Sequence, residues 1–97
     1  MKTKASNRIY ASVWDAIEDT PAAAANMKLR SNLMMALTRH IERENLTQKE
    51  AAKAFGVTQP RISDLTRGKV DLFGLDTLVN MAASAGLRVD MKLKKAA

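Results

Sequence analysis

The stretch from Thr47 to Lys69, TQKEAAKAFGVTQPRISDLTRGK, constrains the fold of this chain most, because it marks the ends of two short helices. Thr47 and Glu50 have the spacing of a capping box, in which each side chain satisfies a backbone N–H of the other residue. Gly56 tolerates a positive φ and can end the first helix. Thr58 can cap a second helix that carries a proline in its first turn. The spacing therefore predicts two helices joined by a tight turn.

The second helix has two chemically different faces. Ile62 and Leu65 are three residues apart and, with Val57, place apolar side chains toward a core. The outward positions carry hydrogen-bonding groups rather than the Lys and Glu of a plain solvated face: Gln59, Pro60, Arg61, Ser63, Asp64, Thr66 and Arg67. Such a face can read the edges of nucleic-acid bases. The alternative is a helical hairpin with a polar exterior and no partner.

Composition agrees with a small nucleic-acid-binding domain. The chain has 97 residues, a formal net charge of +6 and no cysteine, so disulfides and thiolate chemistry are excluded. Residues 47–69 hold five basic and two acidic side chains, a local net charge of +3. A basic balance alone would equally suit an RNA-binding or membrane-surface protein. No apolar run is long enough for a signal peptide or a membrane span, so we expect a soluble, cytoplasmic protein.

Further helices flank this unit. Thr20 and Pro21 can begin a helix that should end near Asn45. Its apolar stripe, with residues four apart, comprises Leu29, Leu33, Leu37 and Ile41, with Met34 alongside. His40 lies off this stripe, and we assign it no chemistry because no catalytic partner accompanies it. Beyond Phe73, an apolar pattern predicts one more helix, closed by Gly86.

The last part of the chain has a different period. From Leu87 to Lys94, apolar and charged residues alternate, which predicts a single β-strand. A lone strand needs a partner from the same chain, from a symmetry mate or from another protein. We therefore divide the chain into an N-terminal arm with a short amphipathic helix (1–24), a helix-turn-helix domain (25–86) and a C-terminal strand with a basic tail (87–97).

These residues resemble a known family. The segment LTQKEAAKAFGVTQPRISDLTRG is similar to the Xre-type helix-turn-helix regulators, and FGLDTLVNMAASAGLRVDMKL looks like their HigA-type antitoxin branch. The resemblance implies a compact, lambda-repressor-like helical domain, so together with the strand predicted from the alternation we expect a mainly all-α bundle with one C-terminal β-strand. It also implies a homodimer that binds a double-stranded DNA operator, represses its own operon and often neutralises a RelE/HigB-like toxin.

Carried over position by position, the family's sites fall on two sets of residues. The base-reading positions are Gln59, Pro60, Arg61 and Ser63. The phosphate-contacting positions are Gln48, Thr58, Arg67 and Lys69.

Several functions compete for this sequence. The leading prediction is a DNA-binding repressor and antitoxin, and the alternative is a stand-alone, phage-type Xre regulator. An adaptor would require loss of the reading face, and no catalytic site, metal site or cofactor is expected, since the sequence offers no nucleophile, metal cluster or phosphate-binding glycine loop. In the arm, Trp14, Asp15 and Glu18 could dock on a toxin, or Trp14 could instead cover the domain's own core.

Overall fold

Four α-helices and one short 3-10 turn make up the computed structural model, which describes residues 20–95. Helix α1 spans Pro21–Arg43, α2 spans Gln48–Phe55, α3 spans Gln59–Thr66 and α4 spans Leu75–Ser84. The 3-10 turn at Val70–Leu72 connects α3 to α4. The prediction of a mainly helical fold is confirmed.

Helix α1 begins and ends where the sequence predicts. The Thr20 hydroxyl accepts a hydrogen bond from the Ala23 N–H at 3.1 Å, and Pro21 follows in the first turn. The helix ends at Arg43, and Asn45 then adopts a positive φ of 55°. Because α1 starts at Pro21, the predicted domain boundary after residue 24 falls inside this helix.

The apolar stripe of α1 is only partly buried. Met34, Leu37 and Ile41 lie in the core, whereas Leu29, which we predicted to belong to the stripe, is 46% exposed. No residue of α1 before Met34 is buried among the described residues. The fully buried residues of α1 therefore all lie in its second half.

The core lies between the four helices: α2 packs against α3 and α4, and α1 packs against α3 and α4 through Met34, Leu37 and Ile41. Its buried residues are Met34, Leu37, Ile41, Ala51, Ala52, Phe55, Ile62, Leu65, Phe73, Leu78, Met81 and Ala82. Ala51 and Ala52 are small where α2 meets its neighbours, which allows close helix packing. Within residues 20–95, no helix is long and apolar enough to cross a membrane.

The C-terminal segment, residues 87–95, forms neither a helix nor a paired strand. Leu87 and Val89 pack against the core, while Met91 is 66% exposed and Leu93 is 99% exposed. No second strand exists among residues 20–95 to pair with it. The predicted C-terminal strand therefore stays a prediction that requires a partner from outside this part of the chain.

Candidate nucleic-acid interface

The start of α2 and the turn that follows it are fixed by local contacts. Thr47 N–H donates to the Glu50 carboxylate at 2.8 Å, and Glu50 N–H donates to the Thr47 hydroxyl at 3.1 Å, which is the predicted capping box. Gly56 ends the helix with φ at 70°. The Val57 N–H then donates to the Ala52 carbonyl at 3.0 Å. These contacts set the direction in which the chain enters α3.

Helix α3 is capped at one end and anchored along one side. The Thr58 hydroxyl accepts from the Arg61 N–H at 3.4 Å, and a proline occupies the first turn, as predicted. Ile62 and Leu65 are each 1% exposed and fix the inner side of the helix in the core. Because this inner side is packed in the core, the opposite side of α3 faces solvent.

The predicted base-reading residues are not equally accessible. Gln59 and Pro60 are exposed at the first turn of α3. Ser63, one turn later on the side of Gln59, is half-buried, and its carbonyl accepts from the Thr66 hydroxyl at 3.2 Å. The most accessible hydrogen-bonding side chain of the predicted base-reading set is that of Gln59.

Arg61 is occupied within the domain. Its guanidinium carbon lies 4.8 Å from the centre of the Phe73 ring, and its Nη1 donates to the Leu72 carbonyl at 3.2 Å. A cation over an aromatic face is attracted by the charge distribution of the ring. In this structure, the Arg61 side chain therefore joins α3 to the 3-10 turn.

The predicted phosphate-contacting residues lie at the ends of the two helices. Gln48 is the exposed first residue of α2, and Thr58 is the exposed cap of α3. At the other end of α3, Arg67 is exposed, and the Lys69 ammonium lies 3.6 Å from the Asp64 carboxylate. Helix N-termini and cations both attract phosphate groups, so each position suits its predicted contact.

Two positioning contacts escaped the sequence analysis. Arg30 Nη1, on α1, donates to the Val70 carbonyl at 3.2 Å, so arginines from α1 and α3 both hold the 3-10 turn. The Ser84 hydroxyl, at the end of α4, donates to the Ala54 carbonyl at 3.0 Å. Both contacts join residues far apart in the chain, and no local sequence signal marks them.

Two other kinds of site were considered from the sequence, a metal site and a toxin-docking surface. No group of three or more His, Cys, Asp or Glu side chains in this part of the chain could hold a metal ion. His40 packs near Phe55 with the two rings tilted and their centres 6.2 Å apart. The predicted toxin-docking residues Trp14, Asp15 and Glu18 lie outside the described residues.

Two short helices joined by a glycine turn, with the second helix anchored inside and polar outside, define a helix-turn-helix domain. A family model described as a helix-turn-helix domain matches residues 16–94, so the chain belongs to this family. A solved structure described as an XRE-family transcriptional regulator matches with a TM-score of 0.69 and 27% sequence identity. That match covers 76% of this chain and 83% of the other. No curated protein matches the sequence.

Proposed function

We propose that this protein is a sequence-specific, DNA-binding transcriptional repressor. The observation that carries the proposal is the anchoring of α3, whose Ile62 and Leu65 are buried while Gln59 and Arg67 are exposed. A helix held in this way can enter the major groove without rearrangement of the core. The likeness to a protein described as an XRE-family transcriptional regulator supports the same function.

Base reading is assigned to the first turns of α3. The Gln59 amide can both donate to and accept from adenine, and Pro60 offers an apolar contact for a thymine methyl. Ser63 can donate to or accept from a base edge, and Arg61 can bind guanine once its guanidinium leaves Phe73. The contact of Arg61 with Phe73 is half-exposed, and cation–π contacts are worth about 0.5–1 kcal/mol at exposed sites and about 2 kcal/mol when desolvated. A bidentate contact with guanine, worth about 1–3 kcal/mol, can therefore replace it.

Phosphate binding is assigned to the ends of the two helices. Gln48 and Thr58 can donate to phosphate oxygens at the starts of α2 and α3, and Arg67 and Lys69 supply positive charge after α3. The ion pair between Lys69 and Asp64 lies on the surface, where such pairs contribute about 0–1 kcal/mol. A phosphate group can therefore compete for Lys69.

Replacement of Gln59 by alanine tests the proposal on a duplex that the protein itself selects from random DNA. We expect specific affinity to fall by about 1–3 kcal/mol while affinity for unrelated DNA hardly changes. Asn80→Ala is the matched control, because Asn80 is exposed on α4 and lies outside the predicted reading face. Equal losses on selected and unrelated DNA would remove Gln59 from the base-reading set, and failure to select any sequence would reject the function.

The proposal extends to a homodimeric antitoxin that represses its own operon and neutralises a RelE/HigB-like toxin. The similarity of FGLDTLVNMAASAGLRVDMKL to the antitoxin branch supports this role. Asp15 and Glu18 add negative charge that suits a basic, RNA-cleaving partner, with Trp14 as the apolar anchor. A dimer would place two recognition helices about 34 Å apart on a palindromic site.

Co-expression with the adjacent reading frame tests the antitoxin role. We expect the two products to co-purify, and Trp14→Ala to weaken the complex without a change in thermal stability. A loss of stability of about 3–5 kcal/mol would instead show that Trp14 packs in the core. Self-repression without a co-purifying partner would identify a stand-alone regulator.

A further inference from the structure

The C-terminal segment presents a backbone edge that no other part of residues 20–95 pairs with. The Leu87 N–H donates to the Ala82 carbonyl at 2.9 Å and so helps to close α4. Among the described residues, no backbone hydrogen bond involves residues 88–95. Within the described part of the chain, the unpaired edge therefore begins at Arg88.

Side chains alternate along this edge. Arg88 and Asp90 are exposed and form an ion pair, with 3.1 Å between the Arg88 Nε and an Asp90 carboxylate oxygen, so they lie on one side. Leu87 and Val89 lie half-buried against the core on the other side. Met91 and Leu93 continue the apolar side of this alternation, but they lie beyond the core and are exposed. This pattern is that of a strand with one apolar side and a missing neighbour.

We propose that residues 88–94 pair antiparallel with the same residues of a second copy, about a two-fold axis through Met91. The inference rests on the dimeric part of the proposed function and specifies the surface and the register. In this register, Val89 lies opposite the partner's Leu93, and Met91 lies opposite the partner's Met91. Each copy thus places its exposed leucine beside a valine that already packs on the other copy's core.

The charge pattern and the length of chain available for pairing favour this register over the neighbouring registers. If the two-fold axis passes through a residue, apolar residues lie opposite apolar residues. If the axis passes between two residues, each apolar residue lies opposite a charged one. An axis through Asp90 would oppose two carboxylates and set Arg88 against Lys92, and an axis through Lys92 would oppose two ammonium groups. An axis through Val89 would engage Leu87, whose N–H already closes α4, and would leave Leu93 uncovered.

The axis through Met91 places Asp90 opposite the partner's Lys92 on both sides of the axis. Opposite charges in directly opposed positions stabilise a strand pair, whereas like charges destabilise it. Arg88 then faces the partner's Lys94 only at the two ends of the ribbon, and Arg88 already has Asp90 as an ion partner. Charge complementarity at the centre of the ribbon therefore favours a second copy as the occupant of this edge.

Single-cysteine cross-linking locates the axis, because the natural chain contains no cysteine. Only a residue on the axis lies opposite itself, with Cα atoms about 4.5–5.5 Å apart. We expect Met91→Cys to form a covalent dimer at least tenfold faster than Asp90→Cys or Lys92→Cys. Leu29→Cys is the background control, because Leu29 is exposed on α1. Fastest cross-linking at another tail position would overturn the register, and rates equal to the Leu29→Cys rate would overturn the pairing.

Charge reversal provides an independent test by sedimentation. Asp90→Lys should weaken the dimer at least tenfold, because the new ammonium group lies opposite the ammonium group of the partner's Lys92. The substitution does not touch the core. Asp90→Lys combined with Lys92→Asp should restore dimerisation to within threefold. Absence of restoration would overturn the register. DNA binding is measured separately. A cross-linked Met91→Cys dimer that binds no DNA would reject the proposed function but not the pairing. A protein that binds a single half-site as a monomer would reject the pairing but not the proposed function.

Discussion

Backbone hydrogen bonding differs between two regions of the molecule, the helix-turn-helix unit (residues 47–69) and the C-terminal segment (residues 87–95). In the first, side chains three residues away cap both helices, and a glycine closes the turn. In the second, Leu87 N–H is the last to form a backbone hydrogen bond within the described chain. Local signals complete the helix-turn-helix unit, whereas residues 88–95 have no backbone hydrogen-bond partner within residues 20–95.

Burial divides the two regions in the same way. Phe55, Ile62 and Leu65 are almost entirely removed from solvent, while Met91 and Leu93 are exposed. Apolar burial is the main favourable contribution to folding and to association. We therefore expect the first region to determine the stability of the monomer, and the second to determine association between copies.

The largest expected effect separates these two roles directly. Phe55→Ala should lower the free energy of unfolding by about 3–5 kcal/mol, because it removes a fully buried aromatic ring. Leu93→Ala should change it by no more than about 0.5 kcal/mol, since surface changes are usually that small. Urea denaturation at a concentration where the protein is monomeric measures both. Comparable losses would contradict the division, and Phe55→Leu keeps the comparison measurable if the alanine variant fails to fold.

The turn of the helix-turn-helix unit gives the next largest effect. An L-residue in the left-handed conformation of Gly56 costs about 1–2 kcal/mol. Gly56→Ala should destabilise the protein by more than this, because the new Cβ would also lie 3.1 Å from the Ser84 hydroxyl. Gly68→Ala is the matched control, with φ at 76° and open space around its Cβ. The excess cost at Gly56 isolates the contact between α2 and α4. If both variants lose the same stability, this contact does not hold the turn.

Sequence reasoning predicted the features that depend on near neighbours. The caps at Thr20, Thr47 and Thr58 and the positive φ of Gly56 follow from residues within one helical turn, and all are confirmed. The burial of Ile62 and Leu65 follows from helical periodicity.

Features that depend on distant parts of the chain could not be predicted in this way. Leu29 has the periodicity of a core residue, yet nothing among the described residues buries it. Periodicity placed Arg61 on the outer face but cannot fix its guanidinium, which bends back to Phe73. Arg30 meets Val70 across 40 residues. Local patterns likewise cannot identify a pairing partner for residues 87–95.

A smaller effect tests whether Arg61 stabilises the free domain. Arg61→Ala should lower the free energy of unfolding by about 1 kcal/mol, because it removes a half-exposed cation–π contact and one hydrogen bond to a carbonyl. Arg67→Ala is the control: it removes the same charge from an exposed side chain and should change stability by no more than about 0.5 kcal/mol. Thermal and urea unfolding without DNA measure the difference. Equal stability of the two variants would mean that Arg61 does not hold the 3-10 turn in solution.

The smallest expected effect concerns the positive charges after α3, which we expect to add affinity for DNA without sequence preference. Arg67→Gln and Lys69→Gln should each lower the salt dependence of DNA binding by about one unit of the logarithmic slope, because each removes one phosphate contact and its released counterion. Sequence preference should not change, since phosphates carry no base information. Lys28→Gln, on the exposed early part of α1, should leave the slope unaltered. Titrations at several salt concentrations measure the slopes. If Lys28→Gln lowers the slope while the other two variants do not, the phosphate surface lies on α1 rather than at the end of α3.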